Sequence, residues 1–396
     1  SVIKAATAVG FVAVIALCLT AAATPPARLA NAAIWSLWEP LVFASFLLAG
    51  PVWCTVCPLS SVGRAAQRAG SLGRPPPRWV RRHGPWLAVA GFAVIVWSER
   101  VFAMTARPLG SGVLLMTLLA AAMVCGVVYS RELWCRHLCP LGRLGVALAP
   151  AAPLELGAKH SVCASSCERH ECYRGSGAIP GCTVYHHPLK TREAHRCKLC
   201  LDCLRSCPHG SARLQLRPPL RGLATLESSA ADLGAFSLAV AALAAVLLLP
   251  VASAGAGRPF AFTGLCLAAV AGGLLAHRLL VGHPSEDDPR HATRVRAACA
   301  SMILGWGALM ASQLENVPLL SRLDLVLRTG PSWFPGQLPG LLLVQLGVLA
   351  AAWLLAAFAL RRVRFAAAGS ESFSATAWVA LHLVFFGYAA GATVLV

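Results

Sequence analysis

The stretch CKLCLDCLRSCP, running from Cys197 to Pro208, sets Cys197, Cys200, Cys203 and Cys207 at the spacing C-x2-C-x2-C-x3-C-P. Three thiolates on one tight loop grip three corners of a cubane iron-sulfur cluster, and a fourth ahead of a proline reaches across to a neighbouring cluster. A disulfide framework or a zinc knot does not need this crowding, because a zinc site closes with four ligands and a second cysteine group lies just upstream. That group, CASSCERHECYRGSGAIPGC, carries Cys163, Cys167, Cys172 and Cys182 at a looser spacing. By the exchange of ligands between the halves of two-cluster ferredoxins, one 4Fe-4S cluster is assigned to Cys182, Cys197, Cys200 and Cys203, and the other to Cys163, Cys167, Cys172 and Cys207. Should the looser half bind no iron, Cys207 in place of Cys182 completes a single cluster.

The rest of the chain decides where this segment sits. Of 396 residues, 57% are hydrophobic and only 13% charged, a composition that belongs to polytopic membrane proteins. Nine apolar stretches are long enough to span a hydrocarbon core: residues 3–23, 33–52, 86–103, 109–129, 233–252, 260–280, 297–313, 338–360 and 374–395. The expectation is an all-α membrane protein with an inserted two-cluster, ferredoxin-like α+β domain. Its parts would be a four-helix membrane domain over 1–150, the ferredoxin-like domain over 151–228 and a five-helix membrane domain over 229–396. The first stretch is read as a span, since its ATPP end lacks the small-residue pattern at which signal peptides are cleaved.

Basic residues accumulate on the cytoplasmic side of membrane proteins. With the amino terminus inside, only Arg28, Arg100, Arg107, Arg258, Arg322 and Arg328 fall outside, leaving 28 of the 34 basic residues within. The cysteine segment is then cytoplasmic, the carboxy terminus is outside, and the expected location is a bacterial cytoplasmic membrane. Reduced thiols are normal in that compartment, so sixteen cysteines point to metal rather than to disulfides. The net charge of +18 follows from this topology and from anionic lipid, and no aromatic stacking platform accompanies it, so nucleic acid is not an expected partner.

Two further motifs tie the helices to the clusters: WCTVCPL at Trp53–Leu59 and WCRHLCPLG at Trp134–Gly142. Each directly follows an apolar stretch, and each continues into a glycine and an arginine, Gly63–Arg64 and Gly142–Arg143, as though a two-helix unit had been duplicated. Cys54, Cys57, Cys135 and Cys139 thus fall on one membrane face. They suit a third iron-sulfur cluster or other metal, a redox-active or copper(I)-binding thiol set, or purely structural thiols.

Over about residues 33–215 these elements resemble the membrane polyferredoxins of the NosR/NapH type, a group that includes oxidase-maturation proteins of the CcoG/RdxA kind. The resemblance rests on Cys54, Cys57 and Pro58, on Cys135, Cys139 and Pro140, and on Cys197–Pro208. It departs in the first loop, where C-x2-C replaces the usual C-x3-C-P, and in the irregular first ferredoxin half. What it implies is electron transfer between the quinone pool, or another membrane donor, and a partner redox protein. Metal-centre maturation, such as copper reduction for an oxidase, is the alternative, and a membrane redox sensor a third reading. No constellation for hydrolysis or group transfer is present, so an electron-transfer subunit is expected rather than an independent enzyme.

Beyond Arg221 the signals thin. His277 and His382 lie in apolar stretches and could face each other as haem ligands or line a quinone pocket, but they do not share a depth, and hydrogen-bonded histidines are the plainer reading. The run AGAT at Ala390–Thr393 lacks the first residue of the pattern that carries covalent flavin in some redox pumps. Neither haem nor flavin is expected. Lys198, Arg136 and Arg205 are candidates for tuning cluster potentials. His283 and His291 are expected in a solvated basic loop. The segment Gln313–Gln337 is expected to form an interfacial helix, and Cys18, Cys125, Cys266 and Cys299 to be buried small hydrophobes.

Overall fold

A computed structural model of the chain describes residues 2–177, 179–189, 197–249, 259–282, 289–316 and 340–366. Among them, seven helices are long and apolar enough to cross a membrane, which makes this a multi-pass membrane protein. They are α1 (Val2–Thr20), α2 (Pro25–Ala49), α5 (Pro108–Val128), α8 (Ser228–Val246), α9 (Pro259–Val281), α10 (Pro289–Gln313) and α11 (Gly340–Ala366). The stretch 86–103 forms the end of a 24-residue helix, α4 (Arg78–Val101), which is not among the seven because Ser98, Glu99 and Arg100 occupy its last turns. The stretch 374–395, and with it His382 and the AGAT run, lies outside the described residues, as do His283 and most of Gln313–Gln337.

The chain forms two compact units that interleave along the sequence. The first comprises Ser1–Ala16, Ser45–Gly91 and Gly112–Thr225. It carries every cysteine of the motifs described above. Here α3 (Pro58–Ala69) and α6 (Pro140–Leu148) each begin at the proline of a cysteine-proline loop. Proline fits the first helical position, where its missing N–H would have no partner anyway, so each loop hands over to a helix whose N-cap is a cysteine. Glycine then permits close helix contact: a methyl group on Gly126 of α5 would overlap the Gly63 carbonyl oxygen of α3.

The cysteine-rich segment is closed at its base by an antiparallel pair, β1 (Leu154–Ala158) with β4 (Ala212–Leu216), in the register Leu154 to Leu216 through Ala158 to Ala212. Arg217 locks that base, donating from Nε to the Ala152 carbonyl at 3.0 Å and from a terminal nitrogen to Glu155 at 2.9 Å. Between the strands lie a two-residue pair, β2 (Gly175–Ser176) with β3 (Ile179–Pro180), short helical turns at His160–Ser165 and Glu171–Arg174, and α7 (Asp202–Ser206).

The second unit holds Leu17–Ala44, Phe92–Ser111 and the chain from Leu226 onward. Helices α8 and α10 are its centre, 67% and 72% buried along their apolar windows, against 17% for α9 and 28% for α11. Small residues make the close crossings: a methyl on Gly273 of α9 would come within 2.6 Å of the Ala239 backbone on α8. Two of its buried polar side chains donate to neighbouring segments. Trp35, in a π turn of α2 over Ala33–Trp38, donates to Ser111 Oγ at 2.8 Å, and Asn31 donates to the carbonyls of Met104 and Thr105. Cys18, Cys125, Cys266 and Cys299 are buried, as expected. His291 is not solvated: it starts α10 and is 2% exposed, because that helix is packed along almost its whole length.

Gly126→Leu should cost on the order of 2 kcal/mol, since the added side chain meets backbone that cannot rotate away. A thermal melt of the detergent-solubilised protein should fall by several degrees, while Gly10→Ala, at a position with nothing within 4 Å, should leave it unchanged.

Candidate functional site

All sixteen cysteines are free thiols. Twelve of them, those of the four cysteine motifs, fall in the first unit and are taken here in three sets of four.

The first group is Cys163, Cys167, Cys172 and Cys207, which together line one small cavity with Glu171, His187 and Ser211. Ser211 ties it together: its hydroxyl lies 3.0 Å from Cys163 Sγ, and its N–H donates to Cys207 Sγ at 3.4 Å. Burial pushes the Cys172 thiol up to about 11, with Cys207, Cys167 and Cys163 adding to the shift.

The second group is Cys182, Cys197, Cys200 and Cys203. Burial raises Cys203, and Cys197, Cys200 and Cys182 raise it further. Burial likewise pushes Cys197 up to about 12. Backbone N–H groups turn toward these sulfurs, His186 donating to Cys182 at 3.3 Å and Leu199 to Cys197 at 3.4 Å. The loop reaches this shape through Leu199 and Leu201, both left-handed at φ 50° and 62°. Such a backbone costs about 1–3 kcal/mol at each non-glycine residue and persists only where its surroundings enforce it. Here the Leu199 side chain is buried, and its carbonyl accepts from the Thr55 hydroxyl at 2.8 Å.

The third group is Cys54, Cys57, Cys135 and Cys139, all half-buried. Cys54 is raised by burial first, then by Cys57, Cys139 and Cys135; Cys139 is pushed up to about 12 by burial, and Cys57 adds to it. The unequal loops reach equivalent ends by winding differently. The shorter C-x2-C loop takes a 3-10 turn over Val52–Thr55, and the longer C-x3-C loop a wider π turn over Trp134–Leu138. In both, the second cysteine is the N-cap of a proline-led helix, and at the second loop Cys139 Sγ accepts from the Gly142 N–H at 3.3 Å. The positive helix end favours negative charge at that sulfur.

Between the second and third groups lies a buried ion network. Glu132 pairs with both Lys198 and Arg64, and Arg64 also pairs with Asp202, which Lys4 approaches at 3.8 Å. Burial opposes the Lys198 charge, but Glu132, Cys135 and Cys200 hold its pKa above the ordinary lysine value. Burial would raise Glu132, yet Lys198 and Arg64 keep it below the ordinary 4.5. Arg131 and Arg136 add a second tie, their guanidinium groups 4.6 and 4.3 Å from the centre of the Tyr185 ring.

Cys172 and Cys182 adjoin across the first two sets, and Lys198 lies against the second and third. Arg205 is exposed, and Arg136 serves the Tyr185 contact. His277 packs near Gly234 on α8, with the buried His291 of α10 within electrostatic reach. Sequence reasoning missed Glu132 and Asp202, whose only signal was an acidic residue beside each cysteine motif. It also missed Glu39 and Glu99, carboxylates buried in the second unit. Among the described residues, no three His, Cys, Asp or Glu side chains close on a point that a single metal ion would occupy. A cubane takes its sulfurs at separated iron corners, so its ligands need not meet at a point. The chain matches no protein-family model, and comparison with curated proteins and with solved structures finds no match either.

Glu132→Gln leaves two buried cations short of their shared partner, and a loss on the order of 3 kcal/mol is expected, read as a drop in melting temperature. The pH dependence has a defined sign. Because the folded Glu132 pKa is depressed, its contribution is complete above the ordinary carboxylate pKa and is lost as pH falls through the folded value. The native protein should therefore soften below about pH 4, and Glu132→Gln should lack that component.

Proposed function

We propose that this chain is a membrane-bound iron-sulfur electron-transfer protein, passing electrons between the quinone pool, or another membrane donor, and a partner redox enzyme. The observation that carries this reading is the serial order of the three four-thiol groups. Cys172 of the first is electrostatically coupled to Cys182 of the second, and Lys198 of the second to all four thiols of the third.

The donor set fits clusters. Cys163, Cys167, Cys172 and Cys207 would hold one 4Fe-4S cluster, Cys182, Cys197, Cys200 and Cys203 a second, and Cys54, Cys57, Cys135 and Cys139 a third. When bound, such clusters supply reversible one-electron storage. The chain's own part is to hold free thiols in place and aim N–H groups at the sulfurs. Lys198 and Arg64 place positive charge beside two groups, which favours the more negative, reduced state. The third group stands at the ends of the apolar helices α2 and α5, where a membrane-dissolved quinol can approach it. Basic-residue bias supports an inner-membrane location with the cysteine segment in the cytoplasm, and the resemblance to NosR/NapH-type polyferredoxins supports the same activity.

One observation favours a second reading, metal-centre maturation: Cys54 borders an open cavity, so that thiol can be reached for copper(I) exchange. Iron, acid-labile sulfide and copper on anaerobically purified protein separate the two. The electron-transfer reading expects about eight irons from the two ferredoxin-type groups and about twelve with the third, with Cys54→Ser/Cys139→Ser lowering twelve to about eight. Little iron with bound copper(I) would overturn it.

A further inference from the structure

Beside the third thiol group lies a cavity of about 480 Å³, lined chiefly by α1 and α3 together with Asp202 and Arg205 of α7. Four cations reach it, Lys4, Arg64, Arg68 and Arg205, against the single carboxylate Asp202. That carboxylate is already engaged by Arg64 and approached by Lys4. Arg68 and Arg205 have no ion-pair partner among the described residues, and both are exposed at the cavity. Hydroxyls of Thr55, Ser60 and Ser61 complete the polar lining. The electron-transfer reading does not use this excess of positive charge, and a neutral ligand would leave it unexplained.

We propose that this cavity binds a phosphate group, and that its source is the headgroup of an anionic membrane lipid. The phosphate chemistry follows from the three-charge excess and the arginine donors, which match phosphate oxygens in forked geometry. The lipid source follows from α1. Its small residues Ala5 and Ala8 leave the space, while Val2, Ile3, Val9 and Val12 are 85%, 64%, 69% and 48% exposed along an apolar helix only 11% buried. The cavity therefore sits at the end of a helix whose bare sides face hydrocarbon, where basic residues select anionic headgroups. A bound headgroup would lie against Cys54 and shield that sulfur from water.

The test uses the full chain in detergent, titrated with dioctanoyl phosphatidylglycerol, with dioctanoyl phosphatidylcholine, and with inorganic phosphate as competitor, read by native mass spectrometry. Saturable one-to-one binding of phosphatidylglycerol, at least about 10-fold tighter than of phosphatidylcholine, is expected. Arg68→Ala/Arg205→Ala should weaken it roughly 30-fold, and the charge-retaining Arg68→Lys/Arg205→Lys should weaken it less, the remaining loss reporting the forked arginine contacts, with melting curves confirming that both variants fold. Equal affinity for the two lipids, or binding indifferent to the alanine pair, would overturn the site. If inorganic phosphate binds as tightly as phosphatidylglycerol and displaces it, the phosphate site stands and the lipid source is overturned.

Discussion

Glu132 shares its carboxylate between Lys198 and Arg64, and the geometry of the first unit hangs on that sharing. Lys198 comes from the middle of the tight cysteine loop, Arg64 from the helix that follows the first cysteine-proline loop, and Glu132 from just ahead of the second. One carboxylate therefore registers three cysteine-bearing segments that are far apart in sequence. A buried pair is weak evidence of stability in itself, because desolvation offsets most of the attraction. What it gives here is register: one carboxylate pairs with a cation from each of the other two segments. The hydroxyl bond from Thr55 to the Leu199 carbonyl repeats the tie without charge, holding a left-handed residue that the chain would otherwise avoid.

The same network has an electrical consequence. Thiols crowded in low-dielectric surroundings resist ionisation, and every group here contains at least one sulfur raised by burial. Thiolate ligation of a metal then needs compensation, which comes from N–H groups, helix ends and the two cations bound to Glu132. Compensation is strongest between the second and third groups. That is also where a relay between soluble-type and membrane-surface clusters would need its potentials adjusted.

The second unit contributes differently. Its helices pack through glycine and alanine contacts, and Trp35 and Asn31 find hydrogen-bond partners within it. Glu39 and Glu99 are buried within it.

The sequence alone determined the membrane class and singled out the cysteines of the candidate site. Apolar run length is set by the thickness of the bilayer, and cluster ligation by the reach of cysteines along a short loop; both are local properties that spacing records. It also marked Cys54, Cys57, Cys135 and Cys139 as a related pair of loops. Only the tertiary structure decided how those loops match, because a 3-10 turn and a π turn absorb a one-residue difference that counting shows as asymmetry. It alone revealed Glu132 and Asp202 as hubs and His291 as buried, since a charge's partners and burial depend on what folds against it from elsewhere in the chain. The interleaving of two units has the same origin: helix contacts are chosen by surface fit between distant segments, and no local pattern encodes that choice.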